Sequence, residues 1–233
     1  MSLLRLDEIH TFIEQFHILE GVSLEVAEGD IVALLGRNGA GKTTTLKTIL
    51  GLTPARSGTV TFNDDDITES RSFDIAALGI GYVPEHRAIF ADLSVEENLR
   101  IAERAKGDLA AKEELIFGLF PDLKRLIRLP GTHLSGGQQQ MLAVARALVA
   151  DNRLLLIDEP SEGLAPVIIE QMMDAIRQLS DHSTVLLVEQ NFVVASRLAH
   201  HYVIIEEGHS AKHGLMADLV EDEDTIRRYL GAA

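Results

Sequence analysis

The chain has no cysteine and no tryptophan, and only three tyrosines. Without cysteine there is no disulfide framework, no thiolate zinc site, no iron–sulfur cluster and no thiol nucleophile. Basic residues are scarce as well: 21 Lys and Arg face 36 Asp and Glu, for a formal net charge of −15. A general affinity for DNA or RNA comes mainly from neutralising backbone phosphates, and single-strand binding needs basic grooves interleaved with aromatic side chains. No nucleic acid partner is therefore expected, and any anion bound here must be held locally. No apolar run approaches the roughly 18 residues that cross a bilayer. Asp7 and Glu8 stand where a secretory signal would continue its apolar core, so a cytosolic chain is expected.

What is present suits a packed domain. Hydrophobic residues make up 46% of 233, above the range that goes with disorder, and the length predicts one domain with room for an inserted subdomain. Val22, Leu24 and Val26 alternate with Ser23 and Glu25 as in a half-buried strand, and Thr59–Phe62 is a further β-prone stretch. Ile31–Leu35 is a continuous apolar run, as in a strand buried on both faces, followed by a glycine loop and a helical segment that ends by Gly51. The same texture returns at Leu154–Ile157, Thr184–Val188 and Tyr202–Ile205, with helical patterns at Pro166–Leu179 and Asn191–Leu198 between them. Strands alternating with helices predict an α/β fold with a mainly parallel sheet, preceded by an N-terminal antiparallel β region.

Between these strands the pattern turns helical: a capping box at Ser94-Val-Glu-Glu97, a helical stretch over Leu109–Phe120, and a long Ala-, Leu- and Gln-rich helix over Ser135–Ala150. The division expected is an α/β core over 1–84 and 151–233 with a helical subdomain over 85–150. Glu221–Asp224 is an acidic cluster that reads as a solvated helix start. The pair His200-His201 is predicted to start a strand with its rings on opposite faces, and no metal is assigned to it.

Chemistry concentrates in two places. Gly36, Arg37, Asn38, Gly39, Ala40, Gly41, Lys42 and Thr43 fit G-x-x-x-x-G-K-[ST] between a strand and a helix. Glycines let successive backbone N–H groups wrap phosphate oxygens, the helix adds its positive end, Lys42 offers a point charge to the β/γ-phosphates, and Thr43 offers a hydroxyl to Mg²⁺. Thr44 extends this cradle. The second place is the strand Leu154–Ile157, which ends in Asp158 and Glu159, at the edge where open α/β sheets bind ligands. Asp158 is the expected Mg²⁺ partner, and Glu159 the expected general base or water-orienting group for phosphoryl transfer.

Leu134-Ser135-Gly136-Gly137-Gln138, one helix and strand before Asp158, resembles the signature motif of the ABC transporter ATPases. With the phosphate loop and the Asp-Glu pair, the chain resembles that family over nearly its whole length. The resemblance implies a P-loop NTPase fold and an ATP- and Mg²⁺-dependent hydrolase. It further implies a head-to-tail dimer, with itself or a second ABC ATPase, in which Ser135, Gly136, Gly137 and Gln138 of one subunit meet the γ-phosphate held by the other. Integral membrane permease subunits, and through them a substrate-binding protein, are the implied partners, with the chain peripheral on the inner face of the membrane. Val83-Pro-Glu-His-Arg87, Asp158-Glu-Pro-Ser161-Glu-Gly-Leu-Ala-Pro166 and Leu187-Val-Glu-Gln190-Asn191 look like the LivF-type branch, which implies branched-chain amino acid import. Relatives of that branch serve urea and short amides. An ABC ATPase without transport is the more distant alternative, and the absence of an N-K-x-D motif argues against a GTPase.

The resemblance places Glu85 where most members carry a metal-sensing Gln, and Gln190 where most carry a His beside the γ-phosphate. Gln190 donates a hydrogen bond without titrating near neutral pH. Ala165 replaces an Asp usual in the loop after Glu159. The position of the base-stacking aromatic falls on Ile13, with Phe12 and Phe16 beside it; core packing is the competing expectation for both Phe residues. Phe90, Phe117 and Phe120 are candidates for an apolar contact with the permease, with burial expected for at least one of them.

Overall fold

The computed structural model describes residues 2–180 and 183–231. In chain order the strands are β1 (Ser2–Ile13), β2 (Phe16–Ala27), β3 (Ile31–Leu35), β4 (Ala55–Phe62), β5 (Asp65–Asp66), β6 (Ile80–Val83), β7 (Leu154–Asp158), β8 (Thr184–Val188), β9 (His201–Glu206) and β10 (His209–Leu215). The helices are α1 (Lys42–Ile49), α2 (Ser72–Ala77), α3 (Val95–Ile101), α4 (Asp108–Leu119), α5 (Pro121–Arg125), α6 (Gly136–Val149), α7 (Pro166–Ser180), α8 (Phe192–Leu198), α9 (Met216–Glu221) and α10 (Glu223–Thr225).

Two sheets result. One is antiparallel in the order β2-β1-β4-β5, and the other runs β10-β9-β3-β8-β7-β6. All neighbours in the second are parallel except the edge pair β9–β10. Every residue of β3, β7 and β8 is buried, which is what unbroken apolar runs specify when both sheet faces are covered. Alternation then sorts their side chains between two cores. Ala33, Leu35, Ile157, Leu187 and Ile204 face the helical side, with α6 and α7. Val32, Leu34, Leu156, Val188 and Ile205 face α1 and the antiparallel sheet.

The apolar runs thus become strands close to their expected bounds. β1 and β10 are not visible from alternation, for different reasons. In β1 the register to β2 shifts repeatedly, so Leu3 and Leu4 are both buried and the period of two is lost. β10 has a polar sequence and is held by its antiparallel ladder to β9. The expectation that His200 and His201 diverge is corrected. His200 precedes β9, and both Nδ1 atoms approach the Asp30 carboxylate, at 3.5 and 3.0 Å. Among the described residues no group of three or more His, Asp or Glu side chains is arranged to hold a metal ion.

β6 and β7 are parallel neighbours in register from Ile80↔Leu154 to Val83↔Ile157, yet α3, α4, α5 and α6 lie between them in the chain. Ser94 and Ser135 each close a reciprocal capping box, with Glu97 and Gln138. Phe120 is buried at 2% exposure and Phe117 packs half-buried, whereas Phe90 is 45% exposed. Acidic Glu221–Asp224 leads into α10, whose cap is Asp222; its carboxylate takes hydrogen bonds from Lys212 and Thr225, and these lower its pKa to about 2. No helix among the described residues is long and apolar enough to cross a membrane.

Asn98 organises the entry to this helical region. Its side chain is fully buried; Nδ2 donates to the carbonyls of Phe90, Leu93 and Ser94, and Oδ1 accepts from the Phe90 N–H, all within 2.8–3.1 Å. Asn98→Ala leaves several buried backbone groups unpartnered and is expected to cost about 2–4 kcal/mol, measured by urea denaturation.

Candidate functional site

The phosphate loop connects β3 to α1 at the carboxyl edge of the parallel sheet. Gly36 (φ 147°) passes so close to β9 that a Cβ there would lie 2.3 Å from the Ile205 carbonyl oxygen, and at Gly41 (φ 113°) it would lie 2.8 Å from Leu19. Both positions therefore require glycine. Lys42 is 5% exposed and turns back into the loop, donating from Nζ to the carbonyls of Gly36 at 3.0 Å and Arg37 at 3.2 Å. Its ammonium lies 3.5 Å from Glu159 Oε1. Ala40 is buried, Thr43 and Thr44 are partly buried on the first turn of α1, and Arg37, Asn38 and Gly39 are exposed. The Arg37 guanidinium points to the C-terminal segment, donating to the Arg228 carbonyl at 3.2 Å.

Sheet order places Asp158 against this loop. Its carboxylate is fully buried; Oδ1 accepts from Thr43 Oγ1 at 3.1 Å and Oδ2 from Tyr82 Oη at 3.3 Å. Burial pushes the carboxyl above its usual range, against the hydrogen bond from Thr43. Burial and the Asp158 charge likewise push the Tyr82 hydroxyl up, so it remains a proton donor. Glu159 follows with φ 45°, a conformation costly for a side-chain-bearing residue. It is fixed by its N–H donating to the Val188 carbonyl at 2.9 Å.

Gln190 and Glu159 line one cavity of about 290 Å³ with Ser161, Glu162, Glu189 and Asn191. Burial raises the Glu85 carboxyl, the neighbouring His86 pulls it back, and a hydrogen bond to Glu162 and the Glu159 charge push it up again. Glu85 thus stands on the acidic side of this group, whereas Thr43 and Asp158 touch directly.

Ser135, Gly136, Gly137 and Gln138 form the N-terminus of α6. None of the hydrogen bonds of Ser135 or Gln138 reaches the phosphate loop. The two glycines are explained by close packing: a Cβ on Gly137 would lie 2.8 Å from Ile168 of α7, and one on Gly136 would press on the Arg87 guanidinium at 3.3 Å. Core packing of Phe12 and Phe16 is corrected. They are 39% and 59% exposed, Ile13 is 44% exposed, and Phe12 stacks on His17 with centroids 4.1 Å apart. All lie at the tip of the β1–β2 hairpin, whose Leu19 touches Gly41.

Two residues of the site were not singled out from sequence. Tyr82 lies on β6, a strand too short and glycine-interrupted to show a pattern. Glu189 is 1% exposed and accepts from the N–H groups of Ser161 at 3.2 Å and Asn191 at 3.0 Å, fixing the loops on both sides of the cavity. Burial raises its carboxyl against those hydrogen bonds. An acid directly after the apolar run Thr184–Val188, as Asp158 follows Leu154–Ile157, is the signal that marks it.

The residues present fit a nucleotide polyphosphate and a hard cation. A buried ammonium at the centre of a glycine loop suits phosphate. The oxygens of Thr43 and Asp158, 3.1 Å apart, match the roughly 3 Å cis edge of an octahedron with Mg–O bonds near 2.1 Å.

Residues 19–162 match the family model described as ABC transporter. The chain belongs to the ABC transporter family. As a member it is an ATP-binding, ATP-hydrolysing transporter subunit. It is 40% identical over 232 residues to BraG of Pseudomonas aeruginosa, a high-affinity branched-chain amino acid transport ATP-binding protein, covering 98% of this chain and all of that one. Identity is 36% to LivF of Archaeoglobus fulgidus, a probable branched-chain amino acid transport ATP-binding protein (98% and 99% covered), and 36% to LptB of Escherichia coli, of the lipopolysaccharide export system (92% and 91%). Among solved structures, an ATP-binding subunit of an ABC transporter superposes with TM-score 0.81 at 27% identity, covering 97% of this chain and 92% of that one. A nucleotide-free ATP-binding cassette gives TM-score 0.86 at 24% identity, with 97% of each chain covered, and shows the same fold.

Because burial raises the Asp158 carboxyl above its ordinary value of 3.8, the folded state binds that proton more tightly than the unfolded one. Its contribution to stability is full below that value and is lost as pH rises to the raised folded value. Asp158→Asn is expected to remove this slope from pH-dependent thermal melts of the nucleotide-free protein and to abolish Mg-ATP hydrolysis in a phosphate-release assay.

Proposed function

We propose that this ABC transporter subunit hydrolyses ATP to power an importer of branched-chain amino acids. The observation that carries this reading is the 40% identity to BraG along the full length of both chains, supported by the likeness to LivF. Identity to LptB equals that to LivF, which makes export the reading to exclude. Urea and short amides remain the alternative cargo.

In this reading Gly36–Thr44 and Lys42 bind the phosphates, and Thr43, Asp158 and Glu85 hold Mg²⁺. When bound, the metal neutralises charge on the phosphoryl oxygens. Glu159 orients and deprotonates the attacking water; its proximity to Lys42, 3.5 Å away, supports placing it beside the terminal phosphate. Gln190, which lines the same cavity as Glu159, donates to that phosphate. Ile13, at the exposed hairpin tip, lies against the base. Ser135–Gln138, with Ser135 and Gly136 exposed and no hydrogen bond from Ser135 or Gln138 to their own phosphate loop, complete the site of a second subunit, either another copy or a related ABC ATPase. The core, 1–84 and 151–233, carries the nucleotide. The helical subdomain, 85–150, meets membrane-embedded permease subunits at the cytoplasmic face, with exposed Phe90 as an apolar contact, and a substrate-binding protein delivers cargo to those subunits.

Three measurements test this. Lys42→Ala is expected to lose tight Mg-ATP binding by calorimetric titration, and Glu159→Gln to keep it while turnover falls by about 10²–10⁴-fold; unchanged turnover removes Glu159 from its role. With the cognate permease in vesicles, wild-type protein is expected to drive uptake of labelled leucine that Glu159→Gln lacks. Urea uptake without leucine uptake gives the alternative cargo, and ATP-driven release of solute gives an exporter.

A further inference from the structure

The loop that follows Glu85 is bound to α6 at two adjacent residues, Arg87 and Ala88. Arg87 and Ala88 are consecutive residues in the left-handed region (φ 62° and 48°), which side chains disfavour. Two arginines hold them there. Arg87 Nη1 donates to Gln139 Oε1 at 3.1 Å, and Arg146, two turns further along α6, donates to the Ala88 carbonyl and lies 4.9 Å from the Phe90 ring centroid. Gln139 is itself fixed, its Nε2 donating to the Gly131 carbonyl at 3.1 Å. The end of the Arg87 fork thus lies beside Gly136, its two Nη atoms within 3.3–3.4 Å of where a Cβ would stand. The missing side chain at Gly136 is filled by a guanidinium from a loop about fifty residues earlier in the chain.

We propose that Arg87 is a positioning residue for Ser135–Gln138: through Gln139 and Gly136 it fixes the first turn of α6 relative to the loop after Glu85. The inference rests on the proposed role of Ser135–Gln138 in completing a second subunit's site. Arg87 acts through that turn and not on nucleotide bound by its own phosphate loop. A guanidinium at the positive end of a helix is electrostatically unfavourable, so its hold must come from planar hydrogen bonding and close packing, which lysine does not reproduce.

The test uses the assembled transporter, this subunit with its permease and any second ATPase, and reads kcat and KM for ATP together with hydrogen exchange at the amides of residues 136–139. Arg87→Ala is expected to lower kcat about ten-fold with ATP affinity of the isolated subunit unchanged, the size expected from sub-ångström misplacement. Exchange at 136–139 is expected to rise. Gln139→Ala removes the same hydrogen bond from the other side and carries the test by itself if Arg87→Ala does not fold. Where both fold, the double variant is expected to be no worse than the poorer single one. Ser135→Ala separates the two readings. If it leaves turnover at the wild-type level, the proposed role of Ser135–Gln138 fails. If it lowers turnover while Arg87→Ala and Gln139→Ala change neither turnover nor exchange, the role of Arg87 fails. Full rescue by Arg87→Lys overturns it too, since charge would then suffice without the planar fork.

Discussion

Asp158 joins the parts of the molecule that must act together. One oxygen takes the Thr43 hydroxyl from the helix after β3, and the other takes the Tyr82 hydroxyl from β6. A carboxylate removed from water is costly unless its lone pairs are satisfied, so this arrangement constrains three chain segments at once. It is possible only because β7 lies beside both β6 and β8, with β3 next in order. The residues most remote in sequence, Thr43 and Asp158, meet because parallel strands present their carboxyl ends to one edge.

The chemistry around that junction follows from unequal environments for similar groups. Asp158 and Glu189 are buried acids raised by desolvation, yet one faces the phosphate loop and the other holds backbone N–H groups of two loops. Glu159 lies between them, in a strained backbone conformation and within 3.5 Å of Lys42. Strain at such a point is sustained by surrounding structure, here the bond from its N–H to β8. Placement, more than the acidity of any single group, is what phosphoryl transfer asks of a protein.

The helical region repeats this logic at larger scale. Asn98 fixes the loop before α3, Arg87 and Arg146 bind the preceding turn to α6, and Gly137 lets α6 close on α7. Phe90 is thereby joined to α6 through Arg146, and Arg87 reaches the start of the same helix through Gln139. The cavity beside Gln190 lies at the same, N-terminal end of α7, where Glu159, Ser161 and Glu162 of its lining lead into that helix.

Much of this was legible in the sequence because it depends on local physics. Apolar runs such as Ile31–Leu35 and Thr184–Val188 have one stable use, as strands covered on both faces, and Gly36–Thr43 spells a phosphate cradle wherever it joins a strand to a helix. Ser94 and Ser135 announce helix starts by their own side chains. β1 escaped detection because bulges break its alternation, and β10 because pairing, not side-chain burial, holds it. Tertiary structure alone decided that Tyr82 would meet Asp158, that Glu189 would bridge two loops, that His200 and His201 would both turn to Asp30, and that Arg87 would fill the space beside Gly136. Each of these is a contact between segments far apart in the chain, set by strand order and crossover, and local periodicity carries no record of which strand becomes which neighbour.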